Sequence, residues 1–141
     1  MSQNSGFELL EPMTGPGLKL WGPDLSALFA QAARGLTSIL TDVDQIQPLE
    51  EKTINIRARD VEGFMVSWVN EIIYLFDSEG FLVEAVGIHE IDPWHLKVAV
   101  LGEQYDPNRH HIENHVRSAS YAGLCLEQTA DGWEAMVHLA S

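Results

Sequence analysis

The chain has 141 residues, 45% of them apolar, one cysteine and a net charge of −13. This suffices for one domain with its own core, and it excludes a fold held by internal disulfides. The 21 acidic residues are spread along the chain, which disfavours direct nucleic-acid binding and suits docking on a basic partner. No apolar run approaches membrane-spanning length and no basic-then-apolar leader is present. With its single cysteine this points to a cytoplasmic protein and no membrane.

In chain order, Met1 to Gly6 is polar and expected to be a disordered leader. Phe7 to Leu10 and Leu18 to Trp21 are short strands. Between them Pro12-Met13-Thr14-Gly15-Pro16-Gly17 forces a turn, because proline lacks the donor N–H and glycine permits positive φ. Asp24 caps a first helix whose stripe is Leu25, Leu28, Phe29, Ala32, Leu36, Ile39 and Leu40, with Gly35 permitting close packing. A polar loop holding Pro48 follows, then a half-buried strand with Ile54, Ile56 and Ala58 on one face. Asp60 caps a second helix, which buries Phe64, Met65, Trp68, Val69, Ile72, Ile73 and Phe76 and stops at Gly80. Ser67, Asn70, Glu71 and Tyr74 fall off that face. Two strands join at Asp92-Pro93, with Trp94, Leu96, Val98 and Val100 inward. After the polar stretch "GEQYDPNRHHIENH" a last hairpin turns at Asp131-Gly132, with Trp133, Ala135, Val137 and Leu139 on one side. The expectation is a single α+β domain over residues 1–141, with two helices packed on one face of a mainly antiparallel sheet of hairpins.

Few residues suggest chemistry. Asp106, His110, His111 and His115 are the one cluster with ligand types, but adjacent histidines in a strand point to opposite faces and no zinc spacing completes the set. His89, His95 and His138 are isolated strand residues. Cys125 lies in an apolar strand and is expected to be buried. No nucleophile elbow, phosphate loop or dinucleotide fingerprint occurs, so no enzyme is expected.

The stretches "WVNEIIYLFDSEG" and "YDPNRH" follow the patterns W-x-N-E-x-x-x-x-x-D-x-E-G and F-D-P-x-R-H, and "FELLE", Gly17-x-x-x-x-Gly22, "AARGL", "VRSASYAGLCLE" and "GWEAMVHLAS" occur in matching order. From Phe7 to Ser141 the chain resembles the archease family. The resemblance implies an accessory protein that assists the GTP-dependent RNA ligase joining 2′,3′-cyclic-phosphate or 3′-phosphate RNA ends to 5′-hydroxyl ends, in tRNA splicing and RNA repair. It implies promotion of ligase guanylylation and turnover through a small acidic site holding a divalent metal such as calcium or magnesium.

The motif residues of that site are replaced here. The family's E-H-T-A-D-x-G falls on Glu11 to Gly17, so its His becomes Pro12 and its Asp becomes Gly15. Its T-Y-H is Ser120-Tyr121-Ala122, its Lys falls on Glu113, and its penultimate Asp is Ala140. No bound metal is therefore expected. Asn70, Glu71, Asp106, Arg109 and His110, which lie in the retained motifs, are the partner-binding candidates. Two further readings are a protein-binding module that has lost metal and activation, and an independent metal protein built on Asp106, His110, His111 and His115.

Overall fold

The computed structural model describes residues 5–10, 17–91 and 95–140, with the side chains of residues 88–91 and 122 outside that description. The expectations for residues 1–4, the 11–16 turn with Pro12 and Gly15, Asp92-Pro93, Trp94 and Ser141 also lie outside it. Strands β1 (Gly6–Leu9) and β2 (Gly17–Gly22) precede helix α1 (Leu25–Leu40) and a 3-10 turn at Val43–Gln45. Then come β3 (Glu50–Arg57), helix α2 (Val61–Glu79), β4 (Phe81–Ile91), β5 (His95–Gln104), β6 (Ser118–Thr129) and β7 (Gly132–Ala140). Gly6, assigned above to the leader, is already paired in β1.

The helix signals act where they stand in the sequence. Asp24 Oδ1 accepts from the Ala27 N–H at 2.8 Å, and Asp60 Oδ1 accepts from the Gly63 N–H at 2.6 Å. Each satisfies a donor that the first helical turn leaves open. Gly80 ends α2 at φ 68°, a left-handed cap that a side chain would strain. At Gly35 a Cβ would lie 2.9 Å from the Leu18 side chain, so α1 rests close on β2.

One expectation is corrected. The strands form two antiparallel sheets rather than one: sheet A in the order β1-β2-β7-β6, and sheet B in the order β3-β5-β4. Each helix packs against strands of both sheets, so the helices do not sit on one face of one sheet. The pairing of β2 with β7 joins residues more than a hundred positions apart, and the hairpin signals alone could not show it. The inward faces follow the alternation: Leu18 and Leu20, Ile54 and Ile56, Leu96, Val98 and Val100, Ala135, Val137 and Leu139 are all buried. The last hairpin turns one residue earlier than expected, at Ala130-Asp131, with Gly132 already paired to Thr129. Among the described residues no helix is long and apolar enough to cross a membrane.

Candidate functional site

Two places gather the candidate residues. The first is the end of sheet A where β2 begins, β7 ends and β6 begins. His138 pairs with Gly17 on one side and Ser120 on the other, and Ala140 pairs with Ser118. The β6 ladder shifts register between Ser120 and Cys125, a bulge in which Gly123 takes φ 74°. A Cβ there would meet the His138 ring at 2.6 Å, and one at Gly17 would lie 3.5 Å from His138 Nδ1. The imidazole thus rests against the Gly123 backbone, which comes this close because glycine has no side chain there. Asn70 on α2 reaches the same corner: its Oδ1 accepts from the Ala119 N–H at 2.7 Å and holds the edge strand to the helix. Its carbonyl oxygen is therefore committed within the chain. Glu71 beside it is half-buried.

The described residues of this corner do not by themselves fit a hard divalent cation, which takes several carboxylate or carbonyl oxygens. Ala140 presents a methyl group and pairs with Ser118, its carbonyl accepts from the Arg117 N–H at 2.7 Å, and Ser120 and His138 form the pair two residues along the ladder. Pro12, Gly15 and the side chain of Ala122 lie outside the description. Among the described residues no three His, Cys, Asp or Glu side chains come together as a metal site. The cluster of Asp106, His110, His111 and His115 does not converge either. His111 and His115 are exposed, whereas His110 is buried.

The second place surrounds that buried histidine. The stretch after β5 is largely polar, yet the His110 side chain is fully covered. The loop folds back so that the His110 N–H donates to the Asp106 carbonyl at 2.8 Å. The Asp106 N–H donates to His110 Nδ1 at 2.9 Å. Nδ1 is then an acceptor, so the neutral ring carries its proton on Nε2. Nε2 faces Glu103 Oε2 at 3.3 Å without the alignment of a hydrogen bond. Glu103 is 4% exposed, and the motif reading missed it. Its Oε1 accepts from Arg109 Nη1, its Oε2 lies 3.3 Å from Arg109 Nη2, and the Gln47 N–H donates to Oε2 at 2.7 Å. Burial alone raises the pKa of this carboxyl, but Arg109, the Gln47 N–H and His110 outweigh it and hold it below the usual carboxylate range. The Glu103 carboxylate in turn pushes the Arg109 guanidinium up.

The same loop completes α1. Leu40 and Ile39 carbonyls, open at the helix end, accept from the Glu113 N–H at 2.8 Å and from Asn114 Nδ2 at 3.0 Å. Thr41 Oγ1 donates to the His111 carbonyl at 2.6 Å. Arg109 and His110 are thus anchors of a loop rather than free contact residues. Of the partner-binding candidates, Arg109 is exposed although paired, Asn70, Glu71 and Asp106 are half-buried, and His110 is buried.

Glu103→Gln should lower stability at neutral pH by about 1–3 kcal/mol, since the ionised pair with Arg109 is lost and one of the two buried acceptor oxygens becomes an NH2 facing a donor. The contribution of Glu103 is full above the ordinary glutamate pKa of about 4.3 and is lost as pH falls through its depressed folded value. Denaturant titrations of both proteins should therefore converge in acid. A gap that widens below about pH 4 would contradict a depressed pKa.

A profile of the Archease protein family matches residues 7–139. The chain belongs to the archease family. The protein archease of Methanosarcina acetivorans is 29% identical over 140 residues, covering 96% of each chain. Among solved structures, protein 1598 of Methanobacterium thermoautotrophicum superposes with a TM-score of 0.74 at 22% identity, over 96% of this chain and 98% of that one. An archease and possible chaperone from Thermotoga maritima gives 0.65 at 17% identity, over 95% and 96%. These two carry the archease fold, α+β with two helices and antiparallel sheets. The archease motif "YDPNRH" now has a physical content here: Asp106, Arg109 and His110 close the loop over Glu103.

Proposed function

We propose that this archease-family chain is a non-enzymatic accessory protein of the GTP-dependent RNA ligase that joins 3′-phosphate or 2′,3′-cyclic-phosphate RNA ends to 5′-hydroxyl ends, and that it works without a divalent metal. The observation that carries the reading is a family scaffold kept almost end to end while the described residues at the corner, Ala140, Ser118, Ser120 and His138, include no carboxylate side chain. The acidic surface, at net charge −13, favours a protein partner over direct contact with RNA.

Two measurements on purified components test it. Calorimetry of the protein alone with calcium, magnesium and manganese should show no micromolar site. Mixed with the ligase of its own host, the protein should form a complex and raise ligation turnover by a small factor. Binding with no gain in turnover would favour the second reading, a module that kept the fold and lost activation, for which the replaced Ala140 also speaks. No binding to the ligase would sink the first reading and leave the module only with a different protein partner.

A further inference from the structure

The face of sheet A opposite the core is open to solvent in its middle. Along one row of the ladder Lys19 lies beside Met136 and Met136 beside Cys125. Along the next, Trp21 lies beside Glu134 and Glu134 beside Glu127. Directly paired residues share a face, so these side chains form one patch. An open groove there is lined by Lys19, Cys125, Glu127, Glu134, Ala135 and Met136.

Two features of this patch work against the isolated fold. Met136 is 38% exposed at the centre of a sheet face. Glu127 and Glu134 are exposed and directly opposite each other, an arrangement of like charges that destabilises a strand pair. Neither forms an ion pair with a described residue. Cys125 supplies no chemistry of its own: its thiol donates to Glu127 Oε1 at 3.4 Å, and the Glu127 carboxylate pushes its pKa up.

We propose that this groove docks a segment of a partner protein in which an apolar side chain is flanked by lysine or arginine. The apolar group would rest on Met136, whose flexible thioether adapts to varied shapes. The cationic group would sit between Glu127 and Glu134 and relieve their repulsion. The match rests on charge and on the uncovered apolar floor, so it holds whether or not the partner is the RNA ligase.

The test uses the full chain, isotope-labelled for NMR, and a short peptide of alternating lysine and leucine, with the glutamate-leucine peptide as a control. The basic peptide should move the resonances of Lys19, Cys125 and Met136, and the acidic one should not. Glu127→Lys with Glu134→Lys should weaken binding about tenfold. Glu50→Lys with Glu51→Lys, the same charge change at the exposed start of β3, should weaken it less than about threefold. Met136→Asp should weaken it too, although it adds the charge that attraction by net charge would favour. Equal losses in the two reversed pairs, tighter binding by Met136→Asp, or peptide shifts confined to another face would overturn the proposal. So would groove resonances that move on dilution without peptide, which would show a second copy seated there.

Discussion

Trp68→Ala is expected to destabilise the protein by about 3–5 kcal/mol, the range for removing a buried large aromatic. Trp68 is fully buried, and its Nε1 donates to the Phe29 carbonyl at 2.7 Å, tying α2 to α1. The truncation therefore opens a cavity between the helices and removes a polar tie across it. Trp68→Phe separates the two effects. It keeps most of the volume and loses the hydrogen bond, worth about 1 kcal/mol, since the Phe29 carbonyl retains its place in the α1 ladder. Urea unfolding of the three proteins measures the series. A Trp68→Ala variant that unfolds with the wild type would show that this face of α2 does not meet the core.

Gly102→Ala should cost about 3 kcal/mol or more, at the upper end of overpacking. Gly102 is in β5, the central strand of sheet B, opposite Val83 of β4 and Glu50 of β3. A Cβ at this position would overlap the Leu82 carbonyl oxygen and press on the Leu82 and Val83 backbone. Backbone cannot rotate aside as a side chain can, so the β4–β5 ladder must open. Strand β3 cannot follow freely, because the Leu49 N–H donates to the Gly102 carbonyl at 2.9 Å. Gly87→Ala is the matched control on β4: nothing lies within 4 Å of its added Cβ, and the change should be worth less than about 1 kcal/mol in either direction. Thermal unfolding distinguishes the pair. Equal melting temperatures for the two alanine variants would refute the close approach at Gly102.

Local features were legible in the sequence because their physics is local. Asp24, Asp60 and Gly80 mark helix ends with groups that act within three or four residues. The alternation through Leu96, Val98 and Val100 fixes which face turns inward. Sheet partners were not legible, because β2 meets β7 by closing almost the whole chain, and no short-range pattern encodes that. Glu103 was hidden for a related reason. It alternates with the inward residues of β5 and so falls on the solvent side, until the 105–110 loop folds over it. The signal lay in Arg109 and His110, two groups close in sequence that need an acidic partner if the loop closes. Cys125 shows the opposite error. The apolar run Leu124-Cys125-Leu126 suggested burial, but in β6, an edge strand, the middle residue faces water and the thiol is exposed.

The order of strands in sheet A bears on how the protein is made. Strand β7, the last in sequence of the described strands, lies between β2 and β6 and among them is the one that joins the two. A chain halted before Gly132 leaves β2 paired with β1 alone and β6 with no neighbour in its sheet. The apolar side chains of Leu18 and Leu20 must then wait, through synthesis of the whole intervening chain, for Val137 and Ala135 to emerge from the ribosome. Sheet B has no such delay, since β3, β4 and β5 are all complete by Gln104. The nascent protein can thus build sheet B before β7 is made, while the half bearing the open groove must wait for Gly132–Ala140.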